Sequence, residues 1–245
     1  MRYKLLLEYD GSNYSGWQQQ KNARTLQGTL NQTFQRVLDQ HGGRWVDLQG
    51  AGRTDAGVHA LGQVAHLEAE TALSPAALQV AVNAELPTSI YIRELSLADP
   101  RFHARHWATS RQYLYRISCR RNVFEKKYSC WVKADLDLAA MQRAAQPLHG
   151  MHDFAALSSK PAKEKSTRVL LQALSIVSEG ELILIRVQAS HFLWNMVRNL
   201  VGVLIEVGKG QLPESVLAEA LQQSGVSLTQ HRAPAAGLFL EKVIY

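Results

Sequence analysis

Three observations predict an α+β fold made of two halves, each in the order β-α-β-β-α-β. Strand-like and helix-like hydrophobic periods alternate in that order through residues 3 to 95. The same order returns between residues 112 and 245. A chain of 245 residues with 46% hydrophobic composition can bury one large core or two modest ones, which leaves room for two halves.

The elements follow in sequence. YKLLLEYD (3 to 10) reads as a strand. Leu26, Leu30, Phe34, Val37 and Leu38 then recur at helical spacing behind Thr25, whose hydroxyl suits an N-cap. RWVDLQG (44 to 50) and GQVAHLEAE (62 to 70) are strands, the latter placing Ala65, Leu67 and Ala69 on one face. Ser74 and Pro75 supply a cap and a first helical residue for AALQVAVNAEL, and SIYIREL (89 to 95) closes the half. In the second half the strands are QYLYRIS (112 to 118), RVLLQALSIV (168 to 177), ELILIRVQA (181 to 189) and LFLEKVIY (238 to 245). Helices are predicted over about 136 to 146, from His191 to Val207, and from near Pro213. This order is the ferredoxin-like arrangement. The two halves are expected to join their sheets around a central active-site cleft, with the boundary near residue 104. Residues 1–104 would carry a catalytic loop and residues 105–245 a basic surface.

No run of about 18 apolar residues occurs, and MRYKLLLEYD meets acidic residues too early for a signal segment, so a cytoplasmic protein without a membrane role is expected. Cys119 and Cys130 form neither a disulfide framework nor a ligand pair, and the nine histidines have no partners at zinc-like spacing, so no metal is expected. The net charge of +6 is distributed unevenly. Residues 1 to 104 hold 9 basic and 10 acidic side chains, and residues 105 to 245 hold 18 and 11, so the excess lies in the second half. Arg105, Arg111, Arg116, Arg120, Arg121, Lys126 and Lys127 stand there against Glu125 alone within residues 105 to 127, interleaved with Tyr113, Tyr115 and Phe124. Cations for phosphates beside rings for bases describe an RNA face, and a solvated charged surface is the competing reading.

GAGRTDAGVHAL (50 to 61) separates two strands. Its glycines permit close approach to a ligand and crowd Arg53, Thr54 and Asp55 between them. A tight turn in which Thr54 or Asp55 caps a short helix is the alternative.

GAGRTDAGVHALGQVAH resembles the signature loop of the tRNA pseudouridine synthase A family. EYDGSNYSGWQQQ (8 to 20), VNAELP (82 to 87), RFHARHWATSRQYLYRI (101 to 117), HDFAAL (152 to 157), NMVRNLVGVLIEVGKG (195 to 210) and APAAGLFLEKVIY (233 to 245) resemble its other segments in the family's order. The resemblance implies isomerisation of uridine at positions 38, 39 and 40 of the tRNA anticodon stem-loop, without a cofactor, by a homodimer. It implies that Asp55 is the nucleophile, a role open to a carboxylate. Arg53 would help extrude the target base and hold phosphate, and Tyr113 would stack on the flipped uracil. Tyr113 shares a strand face with Tyr115 and Ile117, so a core role is its bland alternative. Arg198, the charge within the apolar run FLWNMVRNLVGVL, would be buried and paired with Asp55. Gly237 and Leu238 would pack under the pocket.

The sequence departs from the family at Asn195, where histidine is usual, which leaves in doubt a helix contact to RNA or to a dimer partner. A non-catalytic RNA-binding protein would need the same basic face but no Asp55. A glycosidase would ordinarily need a second carboxylate that the loop lacks. His152 and Asp153 could suggest a metal phosphohydrolase, but further ligands are not evident.

Overall fold

The computed structural model describes residues 1–159, 166–223 and 225–245. It is a mixed α/β chain that packs as two compact units, Met1–Thr109 with Phe239–Tyr245, and Ser110–Leu238. The second unit thus opens at Ser110, and the last strand, drawn from the sequence into the second half, packs with the first unit.

The first unit runs β1 (Arg2–Tyr9), α1 (Leu26–Gln40), β2 (Arg44–Gly50), β3 (His59–Glu70), α2 (Pro75–Glu85) and β4 (Ile90–Leu97). β1 pairs antiparallel with β3 on one side and β4 on the other, and β2 pairs antiparallel with β3. The order across these strands is therefore β4-β1-β3-β2. The final strand β10 (Leu238–Ile244) lies parallel to the start of β3, with Phe239 opposite His59 and Leu240 opposite Ala60.

Period-two patterning explains β1: Tyr3, Leu5, Leu7 and Tyr9 are buried, and the residues between them are part-exposed. Thr25 Oγ1 accepts from the Gly28 N–H at 3.2 Å and starts α1. From there Leu26, Leu30, Phe34, Val37 and Leu38 turn one apolar stripe inward, all fully buried. Those five side chains contribute roughly 10 kcal/mol before chain entropy is subtracted.

The second unit contains β5 (Ser110–Ser118), β6 (Cys130–Trp131), α3 (Leu138–Ala145), β7 (Gly150–Asp153), β8 (Arg168–Glu179), β9 (Leu182–Ala189), α4 (Met196–Gly208) and α5 (Val216–Gln222). Its antiparallel order is β5-β9-β8-β7, and β6 runs parallel to the end of β5 at Ile117 and Ser118. The short strands β6 and β7 were not expected from the sequence. Nor does α4 begin at His191. Asn195 takes φ 60°, ψ 7°, the left-handed conformation, which stops a right-handed helix from extending back past Met196. Asparagine is among the residues that tolerate that state best.

A histidine in the first core gives the fold a pH dependence. His66 on β3 is 2% exposed and its Nδ1 accepts from the Ala104 N–H at 3.2 Å, which requires an unprotonated Nδ1. Burial, with the nearby His103 and Arg2 charges adding to it, holds its pKa down at about 4. The folded value lies below the ordinary 6.5, so on acidification the unfolded chain takes the proton first. The stability contributed by neutral His66 is complete above pH 6.5 and is lost as pH falls toward 4. We expect His66→Asn, which keeps an acceptor but cannot charge, to remove a loss on the order of 3 kcal/mol between pH 7 and 4. Urea unfolding across that range checks this; parallel stability curves for wild type and variant would contradict it.

Candidate functional site

Two loops of the first unit lie backbone against backbone. One is DGSNYSGW (10 to 17), which follows β1; the other is GAGRTDAGV (50 to 58), which joins β2 to β3. The Trp17 N–H donates to Thr54 O at 3.0 Å and the Gly57 N–H to Tyr14 O at 3.3 Å. So close an approach restricts the residues allowed. Gly16 has φ +94°, and a Cβ on it would stand 2.8 Å from Thr54 O. A Cβ on Gly50 would stand 2.6 Å from the Trp17 ring. Both positions need glycine.

The same clamp fixes the residues around the aspartate. Thr54 is buried, and its Oγ1 lies 2.9 Å from Tyr9 Oη, so its hydroxyl is used inside the core. Gln63 Nε2 donates to Gly52 O at 2.9 Å, and the Ala51 N–H donates to Val64 O at 2.7 Å. The Val58 N–H closes a turn on Asp55 O at 3.1 Å. No helix forms between β2 and β3, so neither Thr54 nor Asp55 is a helix cap. Arg53 is exposed and Asp55 half-buried. The loop thus holds one carboxylate and one guanidinium on a backbone with little freedom, which favours chemistry at a fixed point. Tyr9, Trp17 and Gln63 do this holding and were missed in the sequence; their only signal was a polar or aromatic residue beside each glycine-rich stretch.

In the second unit Tyr113 stands on β5 opposite Val187. It is half-buried, while Tyr115 and Ile117 on the same face are fully buried. Phe192 meets the Tyr113 ring edge-to-face at 5.0 Å, which fixes the ring plane. Tyr115 instead belongs to the core: its hydroxyl donates to Pro234 O at 2.8 Å, and burial pushes its pKa far above the ordinary phenol range. A Cβ on Gly237 would stand 2.7 Å from the Tyr115 ring, so Gly237 does pack tightly, within this unit.

Arg198, expected to be buried, is half-buried. It lies on α4, where Val197, Leu200 and Val201 are all buried, and its Nε donates to Ala233 O at 2.8 Å. The Ala233 N–H returns a bond to Arg198 O at 3.0 Å. Asn195 is also buried: its Nδ2 donates to Ser159 Oγ at 3.0 Å, and its Oδ1 lies 3.5 Å from Arg198 Nη1. The residue that departs from the family pattern therefore touches Arg198 inside its own unit. Asn199, one turn on and fully buried, donates to Leu157 O at 2.7 Å.

The basic residues divide into two kinds. Arg116 is paired with Glu125 at 2.7 Å and Arg120 with Glu181 at 2.6 Å, and Arg111 Nη1 donates to Ser190 O at 3.1 Å. Arg121, Lys126 and Lys127 are exposed, and no ion-pair partner for them occurs among the described residues. Arg105 is exposed in the first unit. No helix among the described residues is long and apolar enough to cross a membrane.

A family model described as tRNA pseudouridine synthase matches residues 6–106 and 144–245. The chain belongs to the tRNA pseudouridine synthase family. It is 37% identical to tRNA pseudouridine synthase A of Geobacillus kaustophilus over 100% of this chain and 94% of that protein. It is 38% identical to the enzyme of that name from Thermodesulfovibrio yellowstonii, over 99% of this chain and 98% of the other. With the one from Blochmanniella pennsylvanica the identity is 39%, over 98% and 92%. A pseudouridine synthase is an isomerase, and its substrate in this family is tRNA. Among the residues singled out above, Arg53, Asp55, Arg105 and Arg198 fall inside the matched segments of the family, whereas Tyr113 and Arg120 to Lys127 fall between them.

Proposed function

We propose that this chain converts uridine to pseudouridine at positions 38, 39 and 40 of the tRNA anticodon stem-loop, with Asp55 attacking a uridine flipped out of the stack. The observation that carries the reading is the loop clamp: the backbone on both sides of Asp55 is tied down, while its side chain is left half-exposed next to Arg53. The reaction breaks the bond from ribose C1′ to uracil N1, turns the ring, and forms a bond from C1′ to C5. The C5 proton leaves to water and N1 takes one up, so mass is conserved. Attack of Asp55 at the ribose and attack at the base both meet this balance. Neither needs a redox group, so no cofactor is called for.

Arg53, exposed beside the nucleophile, fills the gap left by the flipped base or binds its phosphate with a planar, bidentate head. Unstacking costs a few kcal/mol, recovered by contacts to the extruded base. Tyr113 supplies one such contact, its ring braced by Phe192 for stacking on the uracil. Arg198 serves the Asp55 carboxylate, as the family resemblance implies, and is steered by Ala233 O and Asn195 Oδ1. Arg105, Arg111, Arg120, Arg121, Lys126 and Lys127 face RNA phosphates. The enzyme works in the cytoplasm as a homodimer. Incubating it with unmodified tRNA transcripts and mapping pseudouridine at nucleotide resolution tests the reading. Product at 38, 39 and 40 is expected; product confined to other positions would overturn the assignment.

A further inference from the structure

The loop between β5 and β6 carries a pocket and exposed apolar side chains to which the proposed isomerisation gives no role. Residues between 118 and 131 line a partly open pocket of about 250 Å³, among them Arg121, Asn122, Val123, Lys126, Ser129 and Trp131. That is below the roughly 300 Å³ at which pockets for larger ligands begin, yet enough for one planar base. Two of its lining residues are exposed apolar side chains, Val123 at 62% and Trp131 at 44%, and Phe124, next to Val123 in the chain, is 87% exposed. Val123 and Trp131 line the same pocket, so it offers an apolar and aromatic wall that is open to a ligand.

The polar groups narrow the ligand. Ser118 Oγ donates to Arg120 O, Ser129 Oγ to Glu125 O at 3.0 Å, and Asn122 Oδ1 accepts the Phe124 N–H at 3.0 Å. These groups satisfy the loop itself. Both nearby carboxylates are also engaged, Glu125 with Arg116 and Glu181 with Arg120. Arg121 and Lys126 therefore remain as cations that no described carboxylate neutralises. The Arg121 guanidinium lies 5.7 Å over the Trp131 ring, so charge and stacking surface stand together. An exposed indole beside uncompensated cations fits a base with its phosphate and would repel a cationic partner.

We propose that this pocket is an accessory subsite for one unpaired nucleotide of the tRNA, its base stacked on Trp131 and its phosphate held by Arg121 and Lys126. The proposal rests on the tRNA reading above, but it concerns a segment, residues 107 to 143, that the family model leaves unmatched. The subsite would add affinity and register to the bound tRNA.

Equilibrium binding of an unmodified tRNA transcript and of uridine monophosphate to the full chain tests it, at several salt concentrations. Trp131→Ala should weaken tRNA binding by about five- to a hundredfold, the span that loss of one stacked base gives. Trp131→Phe should restore most of that affinity. Arg121→Gln with Lys126→Gln should flatten the slope of log affinity against log salt, by about 0.7 for each single-strand phosphate that the protein no longer neutralises. If Trp131→Ala melts early, the glutamine pair decides, because both of its side chains are exposed. Wild-type affinity in Trp131→Ala together with an unchanged slope in the glutamine pair would overturn the subsite. Micromolar binding of uridine monophosphate that is lost in Trp131→Ala, with tRNA affinity intact, would reassign it to a free nucleotide. Single-turnover pseudouridine formation by the wild type keeps the two readings apart. An active wild type with an indifferent pocket removes the subsite alone, and an inactive wild type removes the function on which it rests.

Discussion

Asp55→Asn is expected to abolish pseudouridine formation, lowering the single-turnover rate by about a thousandfold or more, which is roughly 4 kcal/mol or more of lost transition-state stabilisation. The amide keeps the shape of the side chain and loses the nucleophile. Affinity for tRNA and melting temperature should stay close to wild type, because the amide is isosteric with the carboxylate and the bonds through Trp17, Thr54, Gln63 and Val58 that tie the loop down are left in place. A variant that kept a tenth of the wild-type rate would remove Asp55 from its role. Arg198→Met measured in the same assay, alone and combined with Asp55→Asn, reads the coupling between the two residues. Non-additive losses are expected, and losses that simply multiply would detach Arg198 from the nucleophile.

Gly202→Ala is expected to destabilise the second unit by about 3 kcal/mol or more, although alanine in a helix interior ordinarily gains about 1 kcal/mol over glycine. Crowding wins here because the added Cβ would collide with the His231 carbonyl and meet Ala233 N at 3.0 Å, both backbone atoms that cannot rotate away. For a chain of this length the melting temperature should fall by roughly 6 to 12 °C. The segment that must move is the one that accepts Arg198 Nε at Ala233 O, so the reaction rate should also fall at temperatures well below melting. Thermal unfolding with single-turnover assays at low temperature checks both effects. A wild-type melting temperature would show that residues 231 to 233 do not pack on α4.

Local rules carried much of the fold. The stripe of Leu26, Leu30, Phe34, Val37 and Leu38 and the alternation in β1 were legible because burial follows their periods directly. Periodicity cannot register a single backbone torsion, so the apolar run from His191 looked like one helix until φ 60° at Asn195 set its start at Met196. Long-range pairing was equally hidden. Nothing in LFLEKVIY says that Phe239 will lie beside His59, some 180 positions earlier. For the site, the glycines and the Arg53-Thr54-Asp55 cluster marked the loop, and the resemblance supplied the roles. The means of restraint, Tyr9 on Thr54 and Trp17 under Gly50, depends on contacts across separate elements. The basic tract shows the same limit. Glu125 was visible beside Arg116, but Glu181, which neutralises Arg120, comes from the turn between β8 and β9.

Isomerisation of uridine in tRNA is distinguished from cleavage of its glycosidic bond by a tRNA transcript tritiated at uracil C5. Replacing the C5–H bond by C5–C1′ must release tritium to water. Tritium release is expected in step with pseudouridine at positions 38, 39 and 40, with an RNA of unchanged chain length, no free uracil, and no release with Asp55→Asn. Free uracil accumulating without pseudouridine, or tritium release that persists in Asp55→Asn, would contradict it.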